Sequence, residues 1–250
     1  MNNLHTVKDL ESVTRQLEQQ GPEYTLRWAL ATFGASVAVA TGFGPSGIVI
    51  LHLVSQIDPC VKVFYVETDL LFGEIHALRD QLQERLGLEI QAVHANLNLE
   101  EQASRYGEAL WKRDPNMCCY VRKVEPLRRY LADKHAWVTG IRRDQSASRA
   151  DTQVVAWDAG NGLIKINPLA AWTSEQVWQY IHAHDLPFNP LHRLGFPSVG
   201  CWPCTRSVLS GEDLRAGRWD GFAKTECGLH INEGNGDRRI QPAYRNVRQI

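Results

Sequence analysis

Short apolar runs alternating with helix-patterned stretches constrain this chain more than any other feature of its sequence. Ser36-Val-Ala-Val-Ala-Thr41 reads as a buried strand, Gly42-Phe-Gly-Pro-Ser-Gly47 as a turn, and Ile48 to Val54 as the helix after it. Val61 to Val66 is a second strand and Glu89 to His94 a third. Between them, a helix from about Leu71 to Leu86 aligns Leu71, Ile75, Leu78, Leu82 and Leu86 on one face. A helix after Cys118 and Cys119 carries Val121, Val124, Leu127 and Leu131, and Trp137 to Gly140 is the next strand. Strands separated by such helices run in the same direction, so the expected fold is α/β with a mostly parallel, doubly wound sheet.

The ends of the pattern differ. Val7, Leu10, Val13 and Leu17 predict an opening amphipathic helix. Val154 to Trp157 and Leu163 to Ile166, split by Ala159 to Gly162, predict a hairpin, and Thr173-Ser-Glu-Gln176 is a capping box for a helix with Val177 and Ile181. Beyond Leu186 the chain is rich in Pro, Gly, Arg and Trp without periodicity, and a loop-rich tail is expected.

At 250 residues, 44% hydrophobic and 22% charged, the chain can bury a sizeable core, which excludes disordered and fibrous classes. A net charge of −1 argues against a globally basic nucleic-acid binder. The start lacks the basic flank and apolar run of a signal peptide, and no stretch approaches a membrane span. The expectation is a cytoplasmic protein without membrane or nucleic-acid partners, in which thiols stay reduced.

Six cysteines, at 60, 118, 119, 201, 204 and 227, are therefore metal or redox candidates. Cys201-Trp-Pro-Cys204 fits zinc, iron–sulfur or dithiol chemistry. The adjacent pair Cys118-Cys119 favours a cubane cluster, whose separate iron corners suit neighbouring thiolates better than one small ion does, and two pairs make four ligands. The bland alternative is a set of buried small hydrophobes. Cys227, in Lys224-Thr-Glu-Cys-Gly-Leu-His230, reads equally as an exposed nucleophile or an inert surface thiol. Cys60, after Asp58-Pro59 and before a strand, reads as a packed residue.

Charge is uneven. Between Lys112 and Arg149 stand ten Lys or Arg against four Asp or Glu, a net +6 that leaves −7 for the remainder. Arg128 and Arg129 read as a solvated face. Arg142-Arg143-Asp-Gln-Ser-Ala-Ser-Arg149 follows a strand end, where α/β sheets bind ligands, and predicts an anion site. Lys123, one helical turn from Cys119, is positioned for the thiolates. The turn from Thr41 to Gly47 offers amides at a helix N-terminus but matches neither a dinucleotide fingerprint nor a Walker A loop.

Together, Cys118-Cys-Tyr-Val-Arg-Lys-Val-Glu-Pro-Leu127, Thr139-Gly-Ile-Arg-Arg-Asp-Gln-Ser146, Gly200-Cys-Trp-Pro-Cys-Thr-Arg206, Arg215-Ala-Gly-Arg-Trp219 and Glu226-Cys-Gly-Leu-His230 resemble the assimilatory sulfonucleotide reductases, most closely the iron–sulfur, thioredoxin-dependent adenylyl-sulfate (APS) type. The resemblance implies an adenine-nucleotide α-hydrolase-like (ATP-pyrophosphatase) fold over residues 1–204 and a C-terminal segment, 205–250, bearing the nucleophile Cys227. It implies a [4Fe–4S] cluster on Cys118, Cys119, Cys201 and Cys204. Substrate would meet Thr41, Phe43 and Gly44 in the turn, Gly140 and Ile141 at the adenine, the cations Arg122, Lys123, Arg149, Arg215 and Arg218, and His230. The implied reaction reduces APS to sulfite and AMP through an S-sulfocysteine, with a separate thioredoxin or glutaredoxin as donor and a homo-oligomeric enzyme.

Glu67-Thr-Asp-Leu-Leu-Phe-Gly-Glu74 departs from the family's D-T-G-x-L-F-P-E-T run, Pro115-Asn116-Met117 replaces an upstream His, and Trp202 lies inside the C-x-x-C. Two rivals stand beside this reading: a reductase for the 3′-phosphorylated substrate, PAPS, and a zinc-containing ATP-pyrophosphatase-type ligase or thiolating enzyme.

Overall fold

The computed structural model describes residues 7–230. Helix α1 (Val7–Gln20) and helix α2 (Pro22–Phe33) precede the first strand. The sheet contains β1 (Val37–Ala40), β2 (Val63–Glu67), β3 (Ile90–His94), β4 (Ala136–Val138), β5 (Val155–Asp158) and β6 (Leu163–Ile166), in the order β3-β2-β1-β4-β6-β5. All neighbours are parallel except the β5–β6 pair, which is the expected hairpin. Strand order reverses between β1 and β4, so the chain leaves these two strands in opposite lateral directions and a crevice opens beyond their C-terminal ends.

The crossovers are α3 (Pro45–Ile57), α4 (Gly73–Leu86), and a broken run of α5 (Leu99–Tyr106), α6 (Leu110–Arg113), α7 (Pro115–Cys119) and α8 (Glu125–Leu131); α9 (Ser174–Ala183) follows the sheet. Helix α5 is closed by an Asn98–Glu101 capping box and α9 by the expected Thr173–Gln176 box. Beyond α9, the described residues form loops and short 3₁₀ turns, as expected.

Because side chains alternate across a strand, the sheet feeds two cores. Val37, Val39, Val63, Tyr65, Val138 and Ile166 face α1 to α4 and α9. Ala38, Phe64, Val93, Trp137 and Leu163 face α8, and Leu229 of the C-terminal segment packs on the same side. The second core is thus completed by the tail.

Cys60 is exposed, not packed. It lies before the strand, as expected, but in a turn after α3 where its amide donates to Asp58 Oδ1 at 2.9 Å, and that turn holds it at the surface. Among the described residues no helix is long and apolar enough to cross a membrane.

The outward edge of β5 is covered by α1. Thr14 Oγ1 donates to the Val155 carbonyl at 2.9 Å and accepts from the Val155 amide at 3.2 Å, satisfying both edge groups. Thr14→Val keeps the shape but leaves two buried backbone groups unpaired, and is expected to cost about 1–3 kcal/mol in urea denaturation. An unchanged midpoint would show that the cap is dispensable.

Candidate active site and cysteine centre

A cavity of about 740 Å³ opens at the crevice between β1 and β4. Its floor is the turn after β1. Thr41 Oγ1 accepts from the Phe43 amide at 3.0 Å, and Phe43 takes a left-handed φ of 57° while its ring meets Tyr65 edge-on at 5.1 Å. Gly44 then leads into α3, whose N-terminus has Pro45 in its first turn and no side-chain cap. The free amides there point partial positive charge at whatever occupies the crevice.

The loop after β4 presses against this turn. A Cβ on Gly140 would lie 3.1 Å from Ser46 Cβ and 3.2 Å from the Gly47 nitrogen, so glycine is what lets the two loops meet. Gln145 Nε2 donates to the Gly140 carbonyl at 3.2 Å, and Arg142 is held by Asp144 at 2.9 Å and by Ser46 Oγ.

The expected anion site is narrower than the sequence reading. Arg142 is committed to Asp144 and Ser46, while Arg143 turns to Glu18 at 2.6 and 2.9 Å. Arg149 alone of the three keeps its guanidinium on the C-terminal segment, as described below. Thr41, Phe43, Gly44, Lys123, Gly140, Ile141, Arg149, Arg215, Arg218, Cys227 and His230 all line the cavity. Arg122 does not, which corrects its expected role: it is buried, donating Nε to Gln102 Oε1 at 2.7 Å and Nη1 to Asp69 Oδ2 at 2.6 Å.

Lys123 sits on a π-helical stretch, Tyr120–Val124, between α7 and α8. Pro126 lacks an amide and its ring crowds the carbonyl of residue 122, which accounts for the local widening. The expected helix after the cysteine pair is therefore one broken helix that already contains Cys118 and Cys119. Lys123 is buried. Burial works against its charge, but Cys201, Cys119 and Cys227 outweigh burial and raise its proton affinity.

Cys118, Cys119 and Cys201 are buried and Cys204 is half-buried. Burial, with mutual repulsion among Cys119, Cys201 and Cys204, pushes the Cys118 thiol up to about 12; burial, Cys201 and Cys119 push Cys204 up to about 11. Four cysteines gathered around an apolar pocket, of which Cys118, Cys119 and Cys204 resist ionisation on their own, suit a bound cationic centre. Leu70, Leu110, Trp111 and Met117 form the apolar surround. Among the described residues, no three His, Cys, Asp or Glu side chains form a group that could hold a single metal ion.

The Glu67–Glu74 run, expected to line the nucleotide pocket, also secures the cysteines. Thr68 Oγ1 lies 3.3 Å from Cys201 Sγ, the Trp202 amide donates to the Leu70 carbonyl at 2.8 Å, and Leu71 bridges Cys201. Trp202 is exposed and meets Trp111 edge-on at 6.1 Å, closing one side.

The C-terminal segment returns across the cavity. Buried Trp219 gathers Arg218 at 4.5 Å, Lys224 at 5.3 Å and Arg215 at 5.9 Å over its ring. Arg149 and Arg215 both bind Glu226. Cys227 follows at the cavity wall, Gly228 turns at φ 91°, and His230 stacks on Trp137 at 5.5 Å and 17°.

The Phosphoadenosine phosphosulfate reductase domain model matches residues 36–207. The chain belongs to the phosphoadenosine phosphosulfate reductase family. An adenosine 5′-phosphosulfate reductase from Salinibacter ruber is 51% identical over 91% of each chain, and one from Staphylococcus haemolyticus is 44% identical over 89% of this chain and 92% of its own. A phosphoadenosine 5′-phosphosulfate reductase from Gloeobacter violaceus is 46% identical over 88% and 93%. The crystal structure of a phosphoadenylyl-sulfate reductase from Candida auris, a phosphate complex, superposes with a TM-score of 0.69 at 30% identity, over 81% of this chain and 98% of that one. An FMN adenylyltransferase from Candida glabrata, at 14% identity and a TM-score of 0.56, shares the fold alone. These neighbours place this family member among the adenine-nucleotide α-hydrolase-like folds, and membership makes it an oxidoreductase acting on a sulfur group.

Sequence reasoning missed two contributors to this member's site. Thr68 gives no motif signal, and Glu226 is visible only as an acid preceding a cysteine. His230 is half-buried with its Nδ1 sealed from solvent and unpartnered among the described residues. Burial, then Lys165, Arg149 and Arg215, hold its proton affinity well below the ordinary 6.5. A released segment therefore binds more protons than a docked one as pH falls below about 6.5, so acid weakens docking. Protection against hydrogen exchange in peptides from 222–230, taken relative to the intrinsic exchange rate at each pH, is expected to be lower at about pH 5 than at about pH 7, and His230→Phe, which stacks without titrating, to remove that difference. Equal protection at both pH values in the unmodified protein would contradict this.

Proposed function

We propose that the chain reduces adenosine 5′-phosphosulfate to sulfite and AMP, with Cys227 as nucleophile and a thioredoxin or glutaredoxin dithiol as reductant. The observation that carries this reading is a single cavity lined by the Cys227 thiol, the open α3 amides, and the cations Lys123 and Arg218. The names of the Salinibacter and Staphylococcus relatives support APS as substrate.

In this reading the adenine lies at Gly140 and Ile141 and the phosphate meets the turn from Thr41 to Gly44. The Cys227 thiolate attacks the sulfur of the sulfo group. The bond from that sulfur to the bridging oxygen breaks, and AMP leaves with the oxygen and its electron pair. Lys123 and Arg218 neutralise charge as it moves to the leaving phosphate. The enzyme now holds an S-sulfocysteine. A thiolate of the reductant attacks Cys227 Sγ, sulfite departs with the electron pair of the sulfur–sulfur bond, and the reductant's second thiol resolves the mixed disulfide. One dithiol becomes one disulfide for each sulfite released.

The donor set fits a [4Fe–4S] cluster held by Cys118, Cys119, Cys201 and Cys204. When bound, it supplies an electrostatic anchor that fixes the Lys123 ammonium beside the cavity. The body, residues 1–204, then carries the nucleotide pocket and the four-cysteine set, and the segment 205–250 carries the nucleophile with Arg215, Arg218 and His230. The enzyme is read as cytoplasmic and homo-oligomeric, with a separate protein as electron donor.

Sulfite formation from APS and from PAPS at equal concentration, with reduced thioredoxin, tests this. Faster sulfite release from APS is expected, with none from Cys227→Ser. A strong preference for PAPS would make the enzyme a PAPS reductase, and a zinc-bound protein releasing no sulfite would make it a ligase-type relative.

A further inference from the structure

The two arginines that meet the segment bearing Cys227 are already neutralised, and by the residue just before that thiol. Arg149 donates Nε to Glu226 Oε1 at 2.9 Å and Nη2 to Oε2 at 2.8 Å, a two-pronged pair, while Arg215 Nη2 reaches Oε2 at 3.2 Å. Ser148 Oγ donates to Oε1 at 3.5 Å. Arg215 Nη2 also donates to the Thr225 carbonyl at 2.8 Å, so the grip includes the segment's backbone. These are largely desolvated groups: the side chains of Arg149, Arg215 and Glu226 are 14%, 18% and 15% exposed.

The charges explain why an anion belongs there. Burial pulls the proton affinity of Arg215 down; Glu226 opposes that pull, while Arg149 and Arg218 add to it. Removing the carboxylate would leave two shielded guanidiniums facing each other, which is costly. A carboxylate offers a guanidinium the same paired oxygens as a phosphate or sulfate group. Lys123 and Arg218 differ, since no carboxylate pairs with either among the described residues. Of the five cations lining the cavity, Lys123 and Arg218 are therefore without a carboxylate among the described residues, Arg149 and Arg215 are held by Glu226, and Arg142 is paired with Asp144.

We propose that Glu226 is a built-in stand-in for the anionic group of the substrate, a positioning residue that holds the Cys227 segment across the cavity and yields Arg149 and Arg215 when a phosphosulfate enters. This rests on reading the cavity as a sulfonucleotide site. Entry of the substrate then displaces the carboxylate and frees the nucleophile-bearing segment to settle against the new anion. Part of the substrate's binding free energy goes into that exchange, so the measured affinity lies below the intrinsic one.

Two measurements on the cluster-loaded protein test this. The first is equilibrium binding of APS to Cys227→Ser and to Cys227→Ser/Glu226→Gln. The Gln side chain removes the competing charge, and APS affinity is expected to rise roughly threefold to tenfold. Equal or weaker affinity would overturn the proposal while leaving APS as the ligand. Absence of APS binding to both proteins would instead overturn the reading of the substrate.

The second measurement needs no APS, and its deciding comparison is made on the unmodified protein. Inorganic sulfate, against chloride at matched ionic strength, is expected to speed iodoacetamide labelling of Cys227 in the unmodified protein, read by peptide mass spectrometry. Sulfate in this assay competes with Glu226 for Arg149 and Arg215. Labelling that is unchanged or slowed by sulfate would overturn the proposal. Glu226→Gln is expected to label quickly without sulfate, an effect that a purely structural carboxylate loosening the fold would extend to the buried Cys118, Cys119 and Cys201 and that a latch confines to Cys227.

Discussion

A buried ammonium without a carboxylate partner organises this molecule. Lys123 is withdrawn from water, and what restores its charge is sulfur: Cys201 and Cys119 from the four-cysteine set, and Cys227 from the returning segment. A cation that depends on thiolates from two places fixes those places relative to each other. It also explains why the segment crosses the cavity where it does; burial and the neighbouring sulfurs nevertheless outweigh the pull of Lys123 on the Cys118 and Cys204 thiols, which resist ionisation. The π-helical stretch under Pro126 is the local device that sets Lys123 and Arg122 among different partners, one toward sulfur and the other toward Gln102 and Asp69.

The sheet supplies the platform for that arrangement. Reversal of strand order between β1 and β4 leaves a crevice, Gly140 lets the two flanking loops close to contact, and the uncapped start of α3 turns its dipole into the opening. The segment after Cys204 then finishes both structures at once. Leu229 and His230 complete the core on the α8 face, and Glu226 and Cys227 close the cavity.

Much of this was legible in the sequence, for a physical reason. Apolar runs such as Val37–Ala40 and Val63–Glu67 are buried on both faces of a parallel sheet and so cannot be hidden by polar alternation. The cysteine pairs were legible because adjacent and C-x-x-C spacings restrict what they can bind. Helix α2 was missed despite Pro22 in its first turn and buried Leu26 and Ala29, and α5 despite its Asn98–Glu101 box, because short helices with one apolar stripe resemble loops. Arg122 and Cys60 were misread because facing depends on a single residue of helical widening or on where a turn ends, and neither has a compositional signature. Glu226 is a tertiary feature, since its partners lie 77 and 11 residues away.

In the proposed reaction this architecture delivers one thiol, Cys227, to the sulfur of a bound sulfonucleotide. The most direct test is peptide mass spectrometry of the protein mixed with APS in the absence of reductant. A gain of one SO₃ group is expected on the peptide containing Cys227, lost with release of sulfite when reduced thioredoxin is added. No adduct, or an adduct on Cys60 or on any of the four clustered cysteines, would contradict it.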